Sequence, residues 1–358
     1  MSGPRFDPER GVVLAPATSM RLGGPAEFFA RIAQPAELCE ALDWAQQRQL
    51  EVHVLGGGSN VIIADAGLRG LVLTLALASE SSTLAADHAL VTIGAGASWD
   101  DFVARCVARG WSGIECLSGI PGQVGATPIQ NVGAYGQEVA DTLVSLRAHD
   151  RRSAGPIELS HADCDFGYRT SRFKTRDSGR FIVLDATFRL QVGGAPCRLY
   201  PEIARRLAAA EPTLAEARRV VLATRREKSM LLDPGDENGR SCGSFFLNPI
   251  LSAAELDAVR ARSASSPPSY AQPDGSFKLP AAWLIEQSGF HKGQRWGAVG
   301  ISTRHSLALV AHVGATSQQL LEAAHRIRDG VAARLGVWLT PEPQFLGFGS
   351  TSHGLPRL

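Results

Sequence analysis

The chain has 358 residues, with 36 basic against 35 acidic side chains and a formal net charge of +1, so its bulk charge points to no nucleic-acid or membrane partner. At roughly 100–200 residues per domain this length makes two or three domains. With 44% hydrophobic and 20% charged residues, the composition excludes disorder as the main state. The N-terminal stretch carries Arg5, Asp7, Glu9 and Arg10 with no apolar segment behind them, unlike a secretory signal. The longest apolar run, Leu71 to Ala78, is interrupted by Thr74 and is far shorter than the roughly 20 residues of a membrane helix. Six cysteines (Cys39, Cys106, Cys116, Cys164, Cys197, Cys242) form no C-x-x-C pair, the spacing that zinc and thioredoxin-like sites use. Reduced thiols, a cytoplasmic location, no metal and no membrane insertion are the expectation.

Three blocks follow one another along the chain. In the first, Leu38, Leu42 and Ala45 place one apolar face on a helix over 35–48. A strand at 52–55, the turn Gly56-Gly57-Gly58-Ser59-Asn60, and strands at 61–63 and 71–75 come after it. The second block opens with a strand at 90–93, then Ser98 as N-cap of a helix over 99–108 ended by Gly110. From Ser118 to Glu138 five glycines (119, 122, 125, 133, 136) exclude regular structure, and strands at 143–148 and 182–190 close the block. A helix over 214–226 leads to the turn Asp233-Pro234-Gly235-Asp236. The third block reads as a strand at 244–247, helices over 253–262 and 281–287, a strand at 306–311 and an amphipathic helix over 317–335. In that last helix Leu320, Leu321, Ala324, Ile327, Val331 and Leu335 point inward. A final strand over 337–346 carries Glu342. The mixture predicts an α+β fold rather than one doubly wound sheet.

Three glycines followed by Ser59 and Asn60, directly after an apolar strand, let backbone N–H groups approach a phosphate. The pattern is neither G-x-G-x-x-G nor G-x-x-x-x-G-K-[ST], and a plain hairpin turn is the alternative. A second irregular glycine segment favours something extended threading between the two, as a dinucleotide would.

Leu55 to Val61, Gly119-Ile120-Pro121-Gly122-Gln123-Val124-Gly125 and Pro128 to Gly136 resemble, in order and spacing, the UDP-N-acetylenolpyruvoylglucosamine reductase (MurB) family. Phe166 to Lys174, Gly243 to Pro249 and Pro341 to Phe345 extend the resemblance, which runs from about Thr18 to Gly347. It implies a two-subdomain FAD-binding region of the vanillyl-alcohol-oxidase type followed by an α+β substrate-binding domain. The boundaries expected are 1–76, 77–230 and 231–336, with the C-terminal strand in 337–358 returning to the flavin site. It also implies the reaction: NADPH reduces non-covalent FAD, and hydride passes to the enolpyruvyl group of UDP-N-acetylglucosamine enolpyruvate to give UDP-N-acetylmuramate, a peptidoglycan precursor. FAD contacts are expected from Leu55, Gly56, Gly57, Gly58, Ser59, Asn60, Gly119, Ile120, Pro121, Gly122, Gly125, Thr127, Gln130, Asn131, Gly133, Ala134 and Tyr135. A side chain at Gly57 or Gly125 should crowd the flavin diphosphate.

Hydride addition to an enol ether leaves negative charge delocalised into the adjacent carboxylate. Arg169 is the candidate to hold it, bidentately; a structural ion pair is its other reading. Ser244 matches the family's proton donor, although a strand-end hydroxyl often only hydrogen-bonds locally. Glu342 would orient substrate or relay a proton, or lie exposed on an edge strand. Tyr200 (in Arg198-Leu199-Tyr200-Pro201), Lys228, Asn248, Tyr270 and His305 resemble substrate contacts, the tyrosines and histidine equally fitting packing roles. Leu247 stands where some relatives carry a lysine. The partners expected are small molecules, with the chain a monomer. The alternatives are another FAD-dependent oxidase or dehydrogenase of the same plan, which would not need the Arg169, Ser244 and Glu342 set, or a non-catalytic sugar-nucleotide-binding protein.

Overall fold

The strands expected at 90–93, 143–148 and 182–190 form the centre of a six-stranded antiparallel sheet in the computed structural model, which describes residues 6–197, 200–207 and 211–357. The order is Gly155–Ser160, Leu143–Asp150, Phe181–Val192, His88–Gly94, Glu80–Leu84, with Trp111–Ser112 added on Phe181–Val192. The helix Trp99–Ala108 starts where Ser98 Oγ accepts the Asp101 N–H at 3.4 Å, satisfying an otherwise unpaired first-turn donor. It buries Trp99, Phe102, Val103, Cys106 and Val107. Trp99, Phe102 and Phe188 pack ring against ring. A second sheet runs Glu9–Val13, Pro25–Ile32, Leu68–Leu75, Val52–Val54, its last pair parallel. The helix Pro35–Gln47 buries Leu38, Ala41 and Ala45 in the same core as Leu71, Leu73 and the Trp99 cluster.

Two compact units result, each from separate stretches of chain. One takes the chain up to Gly11, Glu27–Gly57 and Arg69–Glu227; the other takes Val12–Ala26, Gly58–Leu68 and Lys228–Leu358. In the second unit, Leu320, Leu321, Ala324, Ile327, Val331 and Leu335 of the helix Ser317–Leu335 are buried with Phe245, Phe246, Leu284 and Ile62. Gly336 ends that helix at φ +76, the left-handed cap that glycine adopts without strain. At its start Asp65 Oδ1 and Oδ2 accept the N–H groups of Ser317 (2.8 Å) and Gln318 (3.0 Å), and Thr316 Oγ1 accepts from Gln319 at 3.1 Å. A carboxylate there also complements the helix dipole. The segment 58–68 is thus tied to the C-terminal part by bonds that sequence proximity does not announce. The three-part division at 76 and 230 is a different cut from these two units.

Three expected strands are corrected. Residues 244–247 make only an isolated bridge, Phe246 to Pro341; 306–311 shortens to Leu309–Ala311; 337–346 shortens to Gln344–Leu346. Pro341 and Pro343 lack the N–H that a continuous ladder requires, so Glu342 lies outside any strand. The Gln344–Leu346 strand pairs parallel with Val61–Ile63. The glycine stretch 118–138 contains one short 3₁₀ turn and a small hairpin. Unexpected strands at Glu80–Leu84 and Gly155–Ser160 form the sheet's edges. Among the described residues no helix is long and apolar enough to cross a membrane.

Asp65→Ala should cost the helix Ser317–Leu335 about 1–2 kcal/mol at its first turn. Hydrogen exchange at residues 317–321 reads this as about 5- to 30-fold lower protection; unchanged protection would remove the anchoring role.

Candidate active site

In the first unit the two glycine segments meet backbone to backbone. A Cβ on Gly57 would lie 2.7 Å from Gly122 Cα, and one on Gly56 would lie 3.2 Å from Ala126 Cβ. Only glycine permits that approach. Among the described residues, the N–H groups of Gly56, Gly57 and Gly122 make no hydrogen bond, as a phosphate cradle requires. Gly125 is constrained differently from expectation: its Cβ would meet Ala95 Cβ at 2.5 Å, so the crowding there is with the protein itself. In the second unit, Gly58 (φ +63) is required because a side chain would run into the Ala17 carbonyl, while Ser19 N–H donates to the Gly58 carbonyl at 3.0 Å.

The second glycine segment is held by polar side chains. Gln123 Nε2 donates to the Leu75 and Gly96 carbonyls at 3.1 and 3.2 Å. Asp100 Oδ1 accepts from the Gly119 N–H and from Arg218 Nη1, each at 2.6 Å, while Oδ2 accepts from Arg218 Nη2 at 2.9 Å. Burial alone would raise the Asp100 carboxyl, but the Arg218 guanidinium and the Gly119 N–H outweigh it and hold the group below the ordinary carboxylate range. Thr127 Oγ1 is spent on the Val124 carbonyl at 2.9 Å, and Asn131 is buried with its amide fully engaged within the protein. These two expected cofactor residues have structural hydrogen bonds to serve.

Residues Gly133-Ala134 and Gln137-Glu138 pair as a tight hairpin. Its two turn residues, Tyr135 (φ +51) and Gly136 (φ +88), are both left-handed, as a two-residue hairpin of this hand demands. Tyr135 is pinned from two sides: its ring packs edge-on against Tyr200, centroids 5.3 Å apart, and its hydroxyl hydrogen-bonds Arg225. Burial pushes the Tyr135 phenol up to about 12, and burial lowers the Arg225 guanidinium. Tyr200 is therefore joined to the hairpin, whereas Arg198 and Leu199 of its loop lie outside the described residues. Arg169 has φ +53, sits in the two-residue turn between Gly167 and Thr170, and folds onto the hairpin. Its Nη2 donates to the Gly133 carbonyl and its Nη1 to the Asn131 carbonyl.

The second unit groups another set. Phe245 N–H donates to the Leu307 carbonyl at 2.8 Å, and Glu342 N–H donates to the Phe245 carbonyl at 2.8 Å. Asn60 Nδ2 donates to the Glu342 carbonyl at 3.3 Å, and Gln344 N–H returns to the Asn60 carbonyl at 3.0 Å. Ser244, Glu342 and Asn60 therefore lie on adjoining extended segments, and His305 lies two residues before the Leu307 whose carbonyl accepts from Phe245. His305 Nδ1 accepts the Leu307 N–H at 3.1 Å, so the neutral ring carries its proton on Nε2. Burial, then the nearby Glu342 charge, pushes the Cys242 thiol up to about 12; it stays protonated and is no nucleophile. Asn248 Oδ1 caps the helix Ala281–Gln287 by accepting the Ala281 N–H at 2.9 Å. Tyr270 stands exposed on the short strand Tyr270–Ala271. Lys228 opens the last of the three chain stretches that make up this unit.

Sequence reasoning missed Asp65, Asp100, Arg218, Arg225 and Glu138. Only Asp100 had a local signal, an acid in the first turn after an N-cap; the others act through partners remote in sequence.

Comparison with known proteins is consistent across the chain. Residues 26–154 match an FAD binding domain, and residues 233–346 match the UDP-N-acetylenolpyruvoylglucosamine reductase C-terminal domain. The UDP-N-acetylenolpyruvoylglucosamine reductase of Thermobifida fusca is 46% identical over 94% of this chain and 98% of its own length. That of Streptomyces avermitilis is 44% identical over 93% of each. The crystal structure of UDP-N-acetylenolpyruvylglucosamine reductase from Thermus caldophilus superposes with a TM-score of 0.65 at 25% identity, covering 95% of this chain and 99% of that one.

Gly57→Val should force the two glycine segments apart and lower the flavin-to-protein ratio several-fold, measured by absorbance after purification. Gly155→Ala, where the nearest atom is 3.9 Å away, serves as the neutral control. A fully flavinated Gly57→Val protein would contradict the cradle.

Proposed function

The chain belongs to the UDP-N-acetylenolpyruvoylglucosamine reductase (MurB) family, and from that premise we propose how its residues divide the work. The protein is an FAD-dependent oxidoreductase that reduces UDP-N-acetylglucosamine enolpyruvate to UDP-N-acetylmuramate in peptidoglycan precursor synthesis. FAD, when bound, supplies the hydride for the enolpyruvyl double bond. Gly56, Gly57 and Gly122 would hold its diphosphate with backbone N–H groups.

Arg169 binds the substrate carboxylate and stabilises the negative charge that develops beside it. Ser244 gives its hydroxyl proton to the carbon next to that carboxylate. A serine alkoxide cannot persist, so it must be reprotonated; the observation that carries the assignment is the Phe245–Glu342 main-chain bond, which sets a carboxyl on the segment beside Ser244. The Ser244 hydroxyl makes no hydrogen bond among the described residues, leaving its proton uncommitted. Glu342 orients or relays, and His305, Tyr200, Lys228, Tyr270 and Asn248 contact the sugar nucleotide. NADPH is the reductant and FAD is held non-covalently, since no histidine or cysteine lies in 55–61 or 118–138. We also propose a cytoplasmic monomer whose flavin region divides near residue 76 and whose substrate domain starts near 231.

Separate half-reactions test the roles. Ser244→Ala should leave flavin bleaching by NADPH near normal and slow recolouring by substrate by about 10²–10⁴-fold. Arg169→Ala should be slow in the same half, Arg169→Lys should rescue poorly because the planar fork is lost, and Ser244→Cys should rescue in part. Stopped-flow absorbance decides: equal slowing of both halves by Ser244→Ala would overturn its role as proton donor.

A further inference from the structure

Resting on the reading of Arg169 as the carboxylate-binding group, we propose that Glu138 is its positioning residue, a fixed carboxylate that sets the plane of the guanidinium before substrate arrives. Glu138 Oε1 lies 3.3 Å from Arg169 Nη1, and Oε2 accepts from Asn131 Nδ2 at 2.8 Å. Asn131 is itself immobilised: 1% exposed, it donates also to the Gly167 carbonyl at 3.1 Å and accepts the Ala140 N–H at 2.9 Å. The position of the carboxylate is therefore set by a buried amide with no remaining freedom. Glu138 also belongs to the hairpin whose Gly133 carbonyl accepts from Arg169 Nη2. Nη1 is thus held by the Glu138 carboxylate and the Asn131 carbonyl and Nη2 by the Gly133 carbonyl, which defines the guanidinium plane.

The packing admits few alternatives. A side chain on Gly133 would meet Glu138 Cγ at 2.7 Å and Arg169 Nη1 at 2.8 Å, so that glycine exists to let the two approach. Arg169 and Glu138 retain only 17% and 36% of their side-chain exposure. A partly desolvated guanidinium is better oriented by a carboxylate together with carbonyls than by carbonyls alone, because the attraction between opposite charges is stronger than that to a neutral carbonyl. Arg169 occupies a left-handed backbone position that a non-glycine residue adopts only when its surroundings enforce it. Glu138 supplies part of that enforcement. It touches neither substrate nor flavin in this scheme and acts through Arg169.

A double-mutant cycle on the flavin-loaded protein tests this, with two readouts: the rate of flavin recolouring by substrate, and the calorimetric Kd of the product UDP-N-acetylmuramate. Glu138→Gln should keep the Asn131 bond and the flavin spectrum, slow recolouring by about 10- to 100-fold, weaken product binding severalfold, and leave bleaching by NADPH unchanged. In an Arg169→Ala background the same substitution should change neither readout. If Glu138→Gln costs nothing in the wild type, or costs as much in Arg169→Ala as in the wild type, the positioning role is overturned while the role of Arg169 stands. If Arg169→Ala alone moves neither readout, the carboxylate-binding reading falls and this inference with it. Should Glu138→Gln fail to fold, Glu138→Asp retains the charge but shortens the reach by one methylene, and an intermediate loss confined to the Arg169-containing background is the expected result; no loss overturns the proposal.

Discussion

The close approach of Gly57 to Gly122 is the constraint on which the first unit's site depends. The 118–138 segment reaches that contact because it is fastened to regular structure behind it. Gln123 bonds the Leu75 and Gly96 carbonyls, Asp100 takes the Gly119 N–H, and Gly125 lies on Ala95. Behind these stand the Trp99, Phe102 and Phe188 cluster and the antiparallel sheet. Burying large aromatic side chains contributes several kcal/mol, enough to hold backbone N–H groups unbonded at the loop surface where a phosphate can use them.

The same unit concentrates backbone strain at the arginine. Asn131, Tyr135 and Arg169 are all left-handed without being glycine, a conformation that costs each about 1 kcal/mol or more. Each is offset by specific bonds: the engaged amide of Asn131, the Arg225 and Tyr200 contacts of Tyr135, and the carbonyl and carboxylate partners of Arg169. Strain held this way orients groups in advance of substrate, the condition under which electrostatic stabilisation of a developing charge is largest. In the second unit, extended segments from 60, 244–247 and 340–344 are held together by main-chain bonds and the Asn60 side chain.

What the sequence discloses follows the reach of its signals. Periodicity places the helices Pro35–Gln47, Trp99–Ala108, Ala253–Arg262, Ala281–Gln287 and Ser317–Leu335 within a residue or so, because an apolar stripe and a cap are local. Glycine spacing points to the Gly57 and Gly122 segments for the same reason. The edge strand Glu80–Leu84 escapes notice because its exposed, polar residues carry little alternation, and Gly155–Ser160 because its alternation is confined to Ile157 and Leu159 after the turn-like Gly155-Pro156. The apolar content of 337–346 suggests a continuous strand through Glu342, which the two flanking prolines interrupt. Asp65 with Ser317, Asp100 with Arg218, and Glu138 with Arg169 are invisible beforehand, since a charge or cap partner far along the chain leaves no periodic trace.

An anaerobic absorption titration tests the central claim, that glycine segments cradle a flavin which serves the enolpyruvyl substrate. The purified protein should be yellow, bleach with one equivalent of NADPH, and recover its colour stoichiometrically on addition of UDP-N-acetylglucosamine enolpyruvate. A protein that purifies without flavin bands and gains none with added FAD, or a bleached flavin that the substrate cannot recolour, would contradict it.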